Sequence, residues 1–162
     1  VMAKDTSKKG SSQPAPLQNK KARFSFEILS KVEAGIALKG TEVKSLRQGG
    51  ASIAESYARI EEGDVRLMNF QIQPYKEGNR YNHDPKRPKQ LLLHRREIKK
   101  LLAAIQIKGQ TLVPLSVYFN KDGRVKVELA LARGKSHRDK RQDERKKEDR
   151  KDMQRAQRRG GL

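Results

Sequence analysis

Val113-Pro114-Leu115-Ser116-Val117-Tyr118-Phe119-Asn120-Lys121-Asp122-Gly123-Arg124-Val125-Lys126-Val127-Glu128-Leu129-Ala130-Leu131 reads as two strands and the turn between them. Val113, Leu115, Val117 and Phe119 recur at every second position, and Val125, Val127, Leu129 and Leu131 do the same beyond the turn. A period of two places one set of side chains on a single sheet face, the mark of a half-buried strand. Asn120-Lys121-Asp122-Gly123 supplies the reversal, with Asp-Gly its sharpest feature. The chain is therefore built on antiparallel sheet.

Working outward, the same grammar recurs. Phe24, Phe26 and Ile28 alternate with polar Ser25 and Glu27, and Glu33-Ala34-Gly35 predicts a turn into a second strand, Ile36 to Lys39. Thr41 as N-cap and Gly49 as stop bound a helix of about two turns. Tyr57–Glu61 and Val65–Ile72 flank Glu62-Gly63-Asp64, a hairpin signal. Pro74 to Gln90 reads as a long polar loop, a kind of segment that is more often functional than idle. Leu91-Leu92-Leu93 leads into a helix over Arg95–Ile105, with Ile98, Leu101, Leu102 and Ile105 at helical spacing and Arg95, Arg96, Lys99 and Lys100 outside. The pattern predicts a mainly β fold with helices: an OB-like antiparallel β-barrel with short helices, an architecture that binds nucleic acid through one face and its loops. Residues 1–18 are expected to be a disordered extension, 19–132 the barrel, and 133–162 a basic tail.

The charge narrows the function. Across 162 residues, 38 Lys and Arg oppose 19 Asp and Glu, for a net +19. The excess is spread over the chain, with +10 on residues 19–132 and +7 on residues 133–162. Such an imbalance calls for a polyanion. A membrane-surface helix would need bulky apolar residues opposite its basic face; the tail has neither Trp nor Phe, and nucleic acid is the better reading. No apolar run approaches the roughly 18 residues of a membrane span, and no early stretch resembles a signal peptide, so export is not expected. Cysteine is absent, which excludes disulfides and thiolate chemistry and fits a reducing cytoplasm.

After Ala132 the apolar pattern stops. Asp139 and Gln142 have capping-box spacing for a helix running to about Arg158, on which Lys140, Lys147, Lys151, Arg155 and Arg158 share a face interrupted by Glu144. Nothing on it can be buried, so it is expected to be disordered when free and helical on an anionic surface. Enzymatic equipment is scarce. His83, His94 and His137 are scattered, Gly134-Lys135-Ser136 lacks the first glycine of a phosphate-binding loop because Leu129 stands there, and Glu61–Asp64 is more simply a solvated turn than a metal site. No catalytic residue, metal or cofactor is expected.

Several motifs then fall in order: Glu33-Ala34-Gly35-Ile36, Gly40-Thr41-Glu42-Val43-Lys44-Ser45-Leu46-Arg47, Asn82-His83-Asp84-Pro85, Leu91-Leu92-Leu93, and Gly134-Lys135 followed by Asp139-Lys140-Arg141. In this the chain resembles SmpB, the small protein B family that partners transfer-messenger RNA (tmRNA), over roughly Asn19 to Arg158. The resemblance implies an OB-like barrel that binds the tRNA-like domain of tmRNA. It also implies a tail that enters the empty mRNA channel and decoding centre of a stalled ribosome, with RNA rather than DNA or membrane as partner. By resemblance Asn19, Glu33, Leu92 and Lys126 face tmRNA, while Gly134, Lys135, Asp139, Lys140 and Arg141 begin the ribosome-directed tail. The one-sided stripe adds Lys147, Lys151 and Arg155. The family tends to place His or Tyr just before Asp-Lys-Arg to stack on a base; here Arg138 holds that place and His137 precedes it, so either side chain is a candidate. Pro88 and Gln90 depart from the basic residues usual in that loop.

The residues themselves leave some readings open. Glu33 is an ordinary turn residue or an acceptor for base amino groups and 2′-OH groups. Leu92 is a core side chain leading into a helix or an exposed apolar contact under a base. Lys126 alternates with Val125 and Val127 and must face outward. A general structured-RNA or ribosome-associated protein, and a nuclease using His and Lys, are the alternatives to tmRNA specificity.

Overall fold

The structure, a computed structural model, describes residues 13–76, 84–135 and 137–160, with the side chains of residues 137–139 outside that description. Nine strands and four helices are present among the described residues. The hairpin of the opening stretch is their backbone: β8 (Gln110–Phe119) pairs antiparallel with β9 (Val125–Gly134). Asn120 shapes the turn, its Oδ1 accepting from the backbone N–H of Asp122 at 3.1 Å and of Arg124 at 2.8 Å, and Gly123 takes the positive φ of 77° that a side chain would resist.

Strand order closes the sheet. β8 pairs with β4 (Tyr57–Glu61), β4 with β5 (Asp64–Met68), β5 with β7 (Lys89–Leu92), β7 with β2 (Phe26–Ile36), β2 with β9, and β9 returns to β8. Six antiparallel strands thus form a ring, the closed sheet the sequence predicts. β1 (Leu17–Gln18) is added along β8, and β3 (Ala51–Ser52) with β6 (Gln71–Ile72) makes a separate two-stranded sheet. The ring encloses Val65, Leu67, Leu112, Val117, Val127 and Leu129, and α2 (Gly40–Arg47) and α3 (Arg95–Ile105) seal it with Leu46 and Leu101.

A second apolar cluster lies outside the ring, where Ala22 of α1 (Lys20–Ser25) packs with Val113, Leu115, Ala130 and Ala132. Strand β8 serves both clusters because its register shifts between Pro114 and Ser116. A bulge inverts the parity of inward and outward positions: Leu112 and Val117 face the ring core, Val113 and Leu115 the α1 side.

Several sequence expectations change. Phe24 and Ser25 belong to α1, whose N-cap is Asn19, and the strand begins only at Phe26. No turn falls at Glu33–Gly35; β2 runs unbroken through it, because Glu33, Ala34 and Gly35 are held in register with Glu128, Val127 and Lys126 of β9. The cap of α2 is Lys39 rather than Thr41: Glu42 Oε1 accepts from the Lys39 N–H at 2.9 Å. Gly49 does lie just beyond the helix, at φ 79°. The extension read as disordered through Gln18 reaches the sheet at Leu17–Gln18, since β8 has a free edge there to pair with. Residues 1–12 of that extension lie outside the described residues, as do 77–83 of the polar loop, including His83.

The loop's far end departs most from expectation. Lys89 is fully buried, its Nζ donating to the carbonyls of Phe70 at 2.6 Å, Arg87 at 2.8 Å and Pro85 at 3.4 Å, and lying 5.4 Å from the Phe70 ring centroid. Glu42, equally buried, sits beside it: its Oε1 meets Arg87 at 2.5 Å and its Oε2 lies 3.9 Å from Lys89 Nζ. This cluster ties α2 to the segment that leads into β7. Burial, only partly offset by the Glu42 carboxylate, pulls the Lys89 ammonium down from 10.5 to about 8, and the Arg87 charge adds to the fall.

Removing the carboxylate strands the two cations, so Glu42→Ala is expected to destabilise the fold by about 3–5 kcal/mol in urea titration. Because the unfolded chain keeps the Lys89 proton to about 10.5 while the folded chain releases it near 8, the unfolded state binds more protons between those values. This group's contribution to stability therefore rises with pH across that window. The unfolding free energy of the wild type minus that of Lys89→Met should climb from pH 8 to 10.5; a flat difference would contradict the buried charge.

Candidate nucleic-acid interface

Three of the sequence-predicted residues converge on one surface. β2 runs between β7 and β9, and at Gly35 it faces Leu92 on one side and Lys126 on the other. A shallow hollow forms where they meet, lined by Glu33, Gly35, Leu92, Leu93, His94, Glu97 and Lys126. Gly35 permits the close approach, since a Cβ there would lie 3.2 Å from Leu92 Cβ. Leu92 is 54% exposed, well above what a core leucine shows. Its exposure follows from β7, whose residues alternate inward and outward: Lys89 and Leu91 are buried, Gln90 and Leu92 are not.

Glu33 is exposed on β2, and its Oε2 accepts a hydrogen bond from the Tyr118 hydroxyl of β8. Burial, reinforced by that bond and by the charges of Glu33 and Glu128, pushes the Tyr118 phenol up to about 12. Tyr118 therefore remains a donor at any physiological pH and orients the carboxylate. Sequence alternation assigned Tyr118 no role; the only signal was a polar-tipped aromatic on a strand face otherwise meant for solvent. Lys126 is half-buried on β9, two positions along from Glu128, which pairs with Lys31 at 3.3 Å. An acceptor, an apolar platform and a cation thus share one sheet surface. The carboxylate can take base amino or 2′-OH protons, the leucine can lie under an unstacked base, and the ammonium can meet phosphate.

Asn19 stands apart from these three, buried where α1 meets β8. It is 2% exposed. Its Oδ1 caps α1 at the Ala22 N–H (3.0 Å), and its Nδ2 donates to the Ile53 (3.1 Å) and Pro114 (2.9 Å) carbonyls. With these bonds Asn19 holds α1 against β8.

The tail residues form α4 (His137–Arg159), which begins two residues before the predicted cap at Asp139. Gly134 closes β9 opposite Phe26. Lys135 is turned inward: its N–H donates to the Ser25 carbonyl at 3.1 Å, its Nζ to the Arg23 carbonyl at 3.3 Å, and it pairs with Asp143 of α4. That hydrogen bond holds the Asp143 carboxyl below its usual range. Lys135 thus braces the root of the tail. Arg141, Lys147, Lys151 and Arg155 are exposed and Lys140 half-exposed, whereas the side chains of His137, Arg138 and Asp139 lie outside the described residues. Among the described residues no three His, Asp or Glu side chains gather as a metal site, and no helix is long and apolar enough to cross a membrane.

The family model described as SmpB protein matches residues 16–159. The chain belongs to the SmpB family. Among its relatives is the SsrA-binding protein of Bradyrhizobium diazoefficiens, 54% identical over 131 residues that cover 81% of this chain and 83% of that one. Another, the SsrA-binding protein of Desulforamulus reducens, is 49% identical over 158 residues, covering 98% and 97%. A solved structure described as "tmRNA-SmpB: a journey to the center of the bacterial ribosome" has 52% identity and a TM-score of 0.65, covering 76% of this chain and 87% of that chain. For an SmpB-family chain the mainly β ring with a few helices is accordingly the family fold.

The two kinds of predicted residue should separate on mutation. Asn19→Ala leaves buried carbonyls without donors and α1 without its cap, and should lose about 2–3 kcal/mol of stability. Leu92→Ala, at an exposed position, should leave stability within about 0.5 kcal/mol while weakening RNA binding. Paired thermal melts and RNA titrations check this; a large stability loss from Leu92→Ala would return it to the core.

Proposed function

We propose that this chain binds the tRNA-like domain of tmRNA and delivers it to ribosomes stalled on messages without a stop codon. The observation that carries the reading is the convergence of Glu33, Leu92 and Lys126 on one preformed surface, in a chain whose relatives are SsrA-binding proteins. It acts by binding, in the cytoplasm where ribosomes work, and needs neither cofactor nor catalytic group.

The hollow recognises folded RNA by shape, with Leu92 under a base, Glu33 taking base or ribose protons and Lys126 on phosphate. The tail, from Gly134 through Arg155, probes the mRNA channel and decoding centre. From Glu144 onward every described side chain is exposed, so the tail's ordering is completed only where ribosomal RNA phosphates surround it. A channel filled by mRNA excludes it by volume and by competition for the same cationic groups. Either His137 or Arg138 supplies the stacking side chain at the tail's start.

Deleting residues 139–162 should leave tmRNA affinity within a few-fold and abolish tagging on stalled ribosomes; joint loss of both would refute the division of labour. With about six phosphate contacts, log K against log salt should fall with a slope of about −4 to −5. Equal affinity for tmRNA and bulk tRNA would instead favour a general structured-RNA binder.

A further inference from the structure

We propose that the outward face of α3 is a second contact surface, taking the phosphate backbone of the RNA that occupies the Glu33–Leu92–Lys126 hollow. The helix starts in that hollow, since Leu93, His94 and Glu97 help line it. Leu101 is buried in the ring core with Ile98 and Ile105 against it, which leaves Arg95, Arg96, Lys99 and Lys100 together on the opposite side, all exposed. The helix therefore carries four cations away from the site as a short rail.

Several other surface cations of the fold are held in ion pairs. Lys21 pairs with Glu55, Lys31 with Glu128, Arg59 with Glu61 and Arg133 with Glu27. None of the four on α3 has a carboxylate within ion-pair distance among the described residues. The single acid of the helix, Glu97, is engaged at the cap, its Oε2 accepting from the His94 N–H at 3.0 Å. Arg95 and Arg96 also stand in the first turn, where the helix dipole is positive and acids are preferred. Helix stability gains nothing from them there. Cations and dipole instead raise a potential of one sign beside the hollow, which suits a polyanion continuing past it.

This inference rests on the tmRNA reading, and its test separates the two. Full-length wild type, Lys99→Gln/Lys100→Gln and Lys99→Arg/Lys100→Arg are titrated with a transcript of the tRNA-like domain of tmRNA, and with bulk tRNA, at 50–200 mM salt. Phosphate contacts predict a salt slope shallower by about 1–2 for the Gln variant. Its affinity deficit should shrink about ten-fold between 50 and 200 mM salt, and the Arg variant should restore the wild-type curve. Unchanged affinity and slope in the Gln variant, with wild-type preference for the tmRNA transcript intact, would overturn the α3 surface alone. A weakened variant with an unchanged slope would mark a structural effect and also overturn it. Normal transcript binding with weakened ribosome binding would assign the face to a different partner and overturn the proposal as stated. A wild type without preference for tmRNA would take both readings down.

Discussion

The buried carboxylate of Glu42, with Lys89 and Arg87 around it, decides which way strand β7 faces. Lys89 must point inward to reach the carbonyls of Phe70 and Arg87 and to lie beside the carboxylate. A strand alternates, so Leu91 follows it inward while Gln90 and Leu92 turn out. A slip of one residue would expose Leu91, bury Gln90 and leave Glu42 short of a cation in an apolar interior, a far larger penalty than any gain from covering Leu92. Buried ion pairs add little net stability against an apolar alternative; here the effect is one of register. An exposed leucine is thereby imposed on the surface at the point where β2 and β9 bring Glu33 and Lys126.

That logic explains what the sequence could and could not reveal. Lys-Gln-Leu-Leu, read by hydropathy, puts the lysine outside and the leucines inside, so Leu92 stays ambiguous and Lys89 passes for loop. Only the partner on α2, some 47 positions away in sequence, reverses the reading. Elements with local signals were legible: the β8–β9 and β4–β5 hairpins with their turn residues, and the amphipathic run of α3. Elements set by distant contacts were not. β2 stays extended through Glu33–Gly35 because β9 holds it there, β1 exists because β8 has an open edge, and Asn19 looks like a surface amide until its acceptors on Ile53 and Pro114 are known. Of the candidate site, Glu33, Leu92 and Lys126 are residues the resemblance offers and the fold brings to one hollow, but Tyr118, which hydrogen-bonds Glu33 from another strand, carried no local sign of it.

The net charge of +19 has to be reconciled with a compact fold. Among the described residues the fully buried charged side chains are Glu42 and Lys89, which meet beside Arg87, while most of the cations lie at the surface. Some are neutralised in pairs across neighbouring strands, which limits self-repulsion in the body of the sheet. Many of the rest lie on α3 and α4, helices that can carry charge on a side open to solvent. Repulsion between such faces weakens the free protein slightly and is removed when counter-ions or phosphates gather.

The two ends of the functional surface are therefore built on different principles. The hollow is rigid before any ligand arrives: its three strands are cross-paired, its floor is the ring core, and its carboxylate is already aimed by Tyr118. Binding there orders little of the protein, which favours discrimination by shape. The tail has the opposite design. Lys135 fixes only its root, through the Ser25 and Arg23 carbonyls and Asp143, and the rest of α4 has no apolar face to bury. A helix held by its own hydrogen bonds and a few side-chain pairs is marginal in water, so its stability must come from what surrounds it. On the proposed reading, a rigid grip joined at one braced residue to a marginally stable arm would let recognition of a cargo and inspection of a channel proceed without either distorting the other.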